Sequence, residues 1–302
     1  MKPRIRLDYA DFWGIFRPLN NYFTHLLSPH YEIEIVERPD FLIYSGFGNT
    51  FRRRTGTRIF YTGENCRPNF RECDFAFTFD FVDRAEHYRL PLYAWYGDPG
   101  MLVKGEGDAE RILAQKTSFC NFIYSNPKCK TRNKFFKLLS KYKRVDSGGK
   151  LMNNIGGRVA NKREFMSRYK FTIAFKNDSY PGYTTEKIVH PMMAESLPIY
   201  WGNPLVHLDF NPQSFVSYFD YGSLEALVDR VIEIDRDDAL YCEYLRQPWY
   251  HGNEVNEYVR RENVLDAFER ILSVSGPVRN RHIFRMLDWR AALPSAKRRK
   301  AA

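Results

Sequence analysis

The sequence predicts an α/β protein made of two units in tandem. Three observations carry this expectation. Short apolar or strictly alternating runs recur along the chain, separated by segments of helical spacing and by clusters of Gly, Pro, Asn and Asp. The chain has 302 residues, room for two domains at roughly 150 residues each. A stretch rich in Gly and charge, YGDPGMLVKGEGDAER from Tyr96 to Arg111, reads as a linker or long loop after the first third.

The elements follow in order. PRIRLDY reads as a strand, LNNYFTHLLS as a helix, YEIEIV as an alternating strand and FLIYSGF as a buried strand. TRIFYTGE and DFAFTFDF continue the strand pattern. Beyond the loop, FCNFIYS is a strand, NKFFKLLSKY a helix and KRVDSGG a strand ending in a Gly turn. NKREFMSRY is a helix, KFTIAFKN a strand and SFVSYFDY a further strand. SLEALVDRVIEI is amphipathic, with Ser223 placed as its N-cap. This βα rhythm argues for mostly parallel sheets with both faces covered. Function then belongs at the carboxyl ends of strands, where the chain offers YTGEN, YSNP, VDSGG and FKNDSYPGYTTEK.

Composition bounds the class. Hydrophobic residues make up 44% and aromatics 16%, enough for large cores and for sugar- or base-stacking surfaces. The net charge of +10 attracts polyanions in general. The basic residues are scattered apart from FRRR (Phe51 to Arg54) and the C-terminal AKRRKAA, so nucleic-acid binding is not indicated. Five cysteines with no CxxC suggest neither a disulfide framework nor a zinc site. A reducing, cytoplasmic setting is the simpler expectation. No apolar run approaches the ~20 residues of a membrane span, and the N-terminus lacks the apolar core of a signal peptide.

The stretch from Phe175 to Lys187 concentrates the chemistry. Gly182 permits an unusual turn after Pro181, and Thr184 is placed to cap the helix that follows. Glu186 in the first turn complements the helix dipole. The same helix end is equally an anion site, with Lys187 adding a full charge and Tyr183 nearby. Pro191 should kink or shorten that helix. Arg132, near the start of the helix after YSNP, is either a surface residue or a bidentate clamp for phosphate oxygens. Glu64 ends a strand in a Gly-flanked turn, as a solvated loop residue or a general base. His190, His207 and His251 lack metal-ligand spacing.

Taken in order, YTGEN, PNF, CDFAFTFD, LPLY, SNP, VDSGG, NNIGG, YKFTIAFKN, YTTEK and LPIYWGNP through DFNPQSFV resemble the α1,3/1,4-fucosyltransferases of glycosyltransferase family 10, most of all bacterial enzymes that make Lewis-type antigens. The resemblance covers roughly residues 30 to 275. It implies a GT-B fold, two Rossmann-like domains facing across a cleft. It also implies residues 1–113 as an acceptor-binding domain, 114–275 as a GDP-fucose-binding domain, and 276–302 as a helical, basic tail. That tail is open to packing on the N-terminal domain, to peripheral contact with an anionic membrane, or to standing solvated.

By the same resemblance, Glu64 is the catalytic base, and Arg132 and Lys187 neutralise the diphosphate. Asn177, Tyr183 and Glu186 line the donor site, and Ser125 and Asn126 lie at the nucleotide edge. The activity implied is inverting transfer of L-fucose from GDP-β-L-fucose to N-acetylglucosamine or glucose in a β-galactoside-type glycan, forming an α1,3-fucoside. A transferase using another sugar nucleotide, or a weakly catalytic sugar-binding relative, are the alternatives. No cofactor is expected beyond the donor. Two cations and a helix end can do the work of a divalent metal, and the motif regions hold no acidic DxD pair, so no metal is expected. Three features depart from the family pattern. Lys176 replaces an acidic residue before Asn177, Pro191 interrupts an otherwise apolar helix, and C-terminal heptad repeats are lacking.

Overall fold

The computed structural model describes residues 1–105, 107 and 109–274. The chain divides into two compact units. One is Met1–Leu90 together with the chain from Arg260, and the other is Pro91–Val259.

The first unit is a six-stranded parallel sheet. Its strands are β1 (Arg4–Ala10), β2 (Glu32–Ile35), β3 (Phe41–Tyr44), β4 (Thr57–Tyr61), β5 (Phe75–Thr78) and β6 (His87–Arg89), in the order β2-β1-β3-β4-β5-β6. Every pairing is parallel, with Leu7 opposite Phe41 and Ile43 opposite Ile59. All carboxyl ends therefore lie along one edge. The central strands are buried on both faces, which is why FLIY and FAFT read as unbroken apolar runs. Alternation still sorts their side chains. Leu42, Tyr44, Phe60 and Ala76 join one cluster, where Tyr44 stacks on Phe51 at 4.0 Å.

A different pair of helices covers Phe77. Helix α1 (Tyr22–Leu27) is capped by Asn21, whose side chain accepts from the Thr24 amide at 3.1 Å. Its Phe23 packs edge-on to Phe268 at 5.2 Å, and Phe268 stacks on Phe77 at 4.4 Å. Phe268 belongs to the last described helix of the chain, Arg261–Ser273. The strand–helix alternation expected in the first third thus holds only for α1. The other strands of this sheet are joined by loops and a 3-10 turn at Thr50–Arg53, and the missing cover comes from the far end of the chain.

The second unit opens with 3-10 turns at Leu92–Trp95 and Pro99–Leu102, followed by α2 (Ala109–Ala114), which starts inside the stretch expected to be loop. Its strands β7 (Ser118–Phe122), β8 (Val145–Ser147), β9 (Tyr169–Phe175), β10 (Leu197–Trp201) and β11 (Val216–Ser217) form a parallel sheet ordered β11-β10-β9-β7-β8. Five further helices complete it: α3 (Lys130–Leu139), α4 (Lys162–Ser167), α5 (Glu186–Met193), α6 (Leu224–Arg236) and α7 (Asp238–Arg246). Arg261–Ser273 is then α8. The division expected after residue 113 differs from the one found, because α2 packs with α7 in the second unit and α8 packs with α1 in the first.

The second core is built from α3 and α6 against the sheet. Phe135, Leu139, Leu227, Val231 and Ile234 meet Phe122, Phe171, Phe175 and Ile199. Phe135 stacks on Phe175 at 4.8 Å. Ser223 caps α6 as expected, accepting from the Ala226 amide at 3.0 Å. SFVSYFDY yields only the two-residue β11, because the chain turns into a 3-10 helix at Tyr218–Asp220. Among the described residues no helix is long and apolar enough to cross a membrane. The basic C-terminal tail, and with it the choice between packing, membrane contact and standing solvated, lies outside the described residues.

Candidate donor site and base

In the second sheet the strand order reverses direction between β7 and β9. At such a switch point the flanking loops part and leave a crevice at the carboxyl ends. The loop after β7 carries Ser125 and Asn126 and leads to Arg132 on α3, while the loop after β9 carries Asn177 and Tyr183 and leads to Glu186 and Lys187 at the start of α5. The seven donor-site expectations therefore fall on the two loops, and the helix starts they lead to, that the topology sets side by side.

Arg132 is not the surface residue that an amphipathic helix would allow, for it has no exposed area. Its guanidinium stacks 4.1 Å from the Tyr124 ring. It donates to Asn177 Oδ1 at 2.7 Å and to the Asn126 carbonyl at 2.5 Å, one bond to each loop. Nε finds no partner and is buried. A charge so placed ties the loops together from beneath, leaving Asn126, Asn177 and Ser125 exposed above it.

The turn after β9 is braced from below. Gly182 has φ +83, a left-handed conformation that suits glycine. Its amide donates to Asn203 Oδ1 at 2.7 Å, and Asn203 Nδ2 donates to Thr184 Oγ1 at 2.8 Å. Thr184 in turn donates to Asp209 Oδ2 at 2.5 Å. This engagement corrects the expected cap. Thr184 is fully buried and committed to Asp209, so the N-cap of α5 is Thr185, with Oγ1 facing the Lys187 amide at 3.5 Å. Pro191 lies inside α5, and the helix closes two residues later, after Met193. It is shortened, as expected, to eight residues.

Lys176 points inward. It is 5% exposed, and its Nζ lies 2.8 Å from Thr185 Oγ1 and 3.8 Å from the centre of the Tyr183 ring. Its stem passes over Gly202, where a Cβ would come within 2.3 Å of Lys176 Cγ. Glu186 accepts from Lys187 Nζ at 2.5 Å. Burial pushes the Glu186 carboxyl up, but Lys187, Lys176 and His190 outweigh it and hold the group down at about 2. The cluster at the start of α5 therefore presents an ionised carboxylate among ammonium groups and a helix N-terminus. Such a place accepts hydroxyl donors at Glu186 and anionic oxygens at Lys187.

Sequence reasoning placed Tyr183, Glu186 and Lys187 here but missed Asn203 and Asp209. Both lie in the quoted segments WGNP and DFNP, where nothing local marks them as supports. Asn203 also accepts from the Leu205 amide at 2.8 Å and donates its own amide to Tyr200 Oη at 2.9 Å, so it has no rotational freedom left.

Glu64 belongs to the first unit, one strand away from that sheet's own reversal. It is exposed, in a tight turn after β4. Its amide donates to Thr62 Oγ1 at 3.0 Å, and its carbonyl accepts from the Cys66 amide at 2.7 Å. Arg67, further along the same loop, is paired with Asp80 Oδ1 at 2.9 Å. The backbone beneath Glu64 is therefore fixed while its carboxylate faces solvent.

Two parallel Rossmann-like units of this kind define the GT-B class of glycosyltransferases. Solved GT-B enzymes match both units. An α1,3-fucosyltransferase crystallised with GDP superposes with a TM-score of 0.78 at 28% identity, over 91% of this chain and 92% of that one. The same kind of enzyme with GDP-fucose gives 0.77 at 28% identity over 90% and 91%. The model of the α-(1,3)-fucosyltransferase FucT N-terminal domain matches residues 7–96, and that of the glycosyltransferase family 10 (fucosyltransferase) C-terminal region matches residues 113–271. The chain belongs to glycosyltransferase family 10. An α-(1,3)-fucosyltransferase FucT from Helicobacter pylori is 30% identical over 288 residues, 80% of this chain and 60% of that protein. A fucosyltransferase-like protein of Acanthamoeba polyphaga mimivirus is 32% identical over 175 residues, 54% of this chain and 28% of its own. The chain thus spans about three fifths of the Helicobacter relative's length.

Proposed function

We propose that this chain transfers L-fucose from GDP-β-L-fucose to a hydroxyl of a glycan acceptor, with inversion, giving an α1,3-fucoside. The observation that carries the reading is the cluster at the start of α5. A buried cation, a second cation, a helix end and an ionised carboxylate converge at the switch point beside β9. That set matches a nucleotide sugar, which offers anionic phosphate oxygens beside neutral hydroxyls. Family membership and the solved relatives with GDP and GDP-fucose support the same assignment.

The chemistry is one displacement. The Glu64 carboxylate takes the proton of the acceptor hydroxyl. The resulting oxygen bonds to the anomeric carbon of fucose as the bond from that carbon to the phosphate oxygen breaks, and GDP leaves with the electron pair. An oxocarbenium-like state intervenes, as in glycoside chemistry generally. Lys187 exchanges its contact with Glu186 for the β-phosphate, which frees Glu186 to accept from fucose or ribose hydroxyls. Lys176 and the amides of the helix start add preorganised positive potential where the leaving group gains charge. Arg132, without exposed surface, acts in this arrangement by holding Asn126 and Asn177 in place. Ser125 and these two asparagines form the nucleotide edge.

The test is direct. Purified protein is incubated with GDP-fucose and lactose, N-acetyllactosamine or chitobiose, and the products are analysed by mass and by NMR for linkage. An α1,3-fucosylated product with release of GDP is expected. Turnover of another sugar nucleotide in preference to GDP-fucose overturns the donor assignment.

A further inference from the structure

The carboxyl ends of β4, β5 and β6 lie side by side in the first sheet. The Glu64 turn leaves β4 with its carboxylate exposed. A general base works only within about 2.6–3.2 Å of the proton it takes, and a misplacement of about 1 Å costs on the order of a hundredfold. The turn is held at both ends. At its start, buried Thr62 accepts from the Glu64 amide at 3.0 Å, and its Oγ1 lies 3.0 Å from Cys66 Sγ. At its far end, Arg67 donates to the Cys66 carbonyl at 3.2 Å and to Asn65 Oδ1 at 3.1 Å. One guanidinium thus grips both residues that follow Glu64.

Arg67 is itself anchored outside the loop. Its Nε pairs with Asp80 Oδ1 at 2.9 Å, and its guanidinium lies 4.8 Å from the centre of the Phe79 ring. Asp80, two residues past the end of β5, is 5% exposed. Thr78 Oγ1 donates to its Oδ2 at 2.9 Å and lies 2.8 Å from His87 Nε2, at the start of β6. Arg89, also on β6, donates from Nε to the Phe79 carbonyl at 3.2 Å. The anchor is therefore rigid, and it comes at a cost. Burial pushes the Asp80 carboxyl up, and Thr78, Arg67 and Arg89 offset this only in part. A carboxyl raised in this way subtracts from stability where it is ionised. An apolar residue of similar size would hold a merely structural loop at least as well.

We propose that Asp80 and Arg67 are positioning residues for the base, the buried carboxylate orienting the guanidinium that fixes Asn65 and Cys66 and so aims Glu64 at the acceptor hydroxyl. The inference rests on Glu64 as the base. Neither residue need touch a substrate, so each acts on turnover through Glu64. The charge and the fork of Arg67 are both required, because a lysine cannot reach Asp80, Asn65 and the Cys66 carbonyl together.

The experiment places Asp80→Asn and Arg67→Lys in the full chain, each alone and each with Glu64→Gln. Steady-state kinetics use GDP-fucose with N-acetyllactosamine or lactose, alongside GDP calorimetry and thermal melts at pH 7. A fall in kcat of about ten- to hundredfold is expected for both single variants, with acceptor KM and GDP affinity within about twofold. The melting temperature of Asp80→Asn should be unaltered or raised. In the Glu64→Gln background, either change should lower the residual turnover by no more than about twofold, since both act through the side chain already altered. Unchanged kcat in folded Arg67→Lys overturns the proposal, as does a full loss repeated on top of Glu64→Gln. A lower melting temperature with unchanged kcat shows a structural role only and also overturns it. The underlying reading fails in a different way: near-normal turnover by Glu64→Gln removes the base itself, whereas low turnover with additive losses removes only the positioning role.

Discussion

The Lys176 ammonium sits 3.8 Å above the ring of Tyr183, the cation facing the aromatic π-cloud in a buried pocket beside the N-cap of α5. The lysine is thereby part of the candidate donor site, and three groups depend on its position: the Tyr183 ring, the cap Thr185 and the carboxylate of Glu186.

Removing the charge but keeping the stem tests this. Lys176→Met should lower GDP affinity by about tenfold with little loss of thermal stability, since methionine fills the same channel. Gly202→Ala should do similar damage, because its methyl enters the path of the Lys176 stem. The double variant should lose less than the sum of the two, since both act on one side chain. Calorimetry with GDP reads all three.

Lys187→Ala should weaken GDP binding by about ten- to hundredfold, the range of a charge-assisted hydrogen bond lost from a partly buried site. Unchanged affinity by calorimetry would remove Lys187 from the phosphate contact.

Glu64→Gln should leave GDP affinity and the melting temperature unaltered, since the Glu64 side chain is exposed and its turn is held by backbone and Thr62 contacts. Turnover should fall by about two to four orders of magnitude, as for loss of a general base. Near-normal transfer would take Glu64 out of that role.

The Glu186 carboxyl gives a pH signature. Its folded value is about 2 against 4.5 for the free group. A depressed carboxyl adds stability that is complete above about 4.5 and disappears as pH falls toward about 2. Glu186→Gln should therefore be less stable than the wild type at pH 6, with the gap narrowed at pH 3 and lost only near pH 2. Urea unfolding at the two pH values measures it.

Phe268→Ala should cost about 3–5 kcal/mol, as for a fully buried aromatic ring whose site cannot collapse. Its stacking on Phe77 makes α8 part of the first core. Truncation after Val259 should accordingly unfold the first unit, read by loss of near-ultraviolet circular dichroism and by proteolysis of residues 1–90.

What the sequence determined by itself was local. Alternation and apolar runs place the strands, because side chains on a pleated chain change face at each residue. Gly182 and the Ser223 cap were legible for the same reason, since a left-handed turn and an exposed helix amide are satisfied within a few residues. The segment from Asn177 to Lys187 stood out as a helix end following a strand. Tertiary structure decided the rest. Lys176 could face either side of its strand end until Gly202, just past the end of β10, left room for its stem. Thr184 was the expected cap until Asp209, distant in sequence, engaged it and left the role to Thr185. Arg132 became a buried tie only because two loops meet over it. The return of α8 to the first sheet has no local mark, since an amphipathic helix states which face it buries and not against what. Strand order, and with it both switch points, arises from pairings between distant segments, so the places where ligands gather were settled by the fold and not by any one stretch of chain.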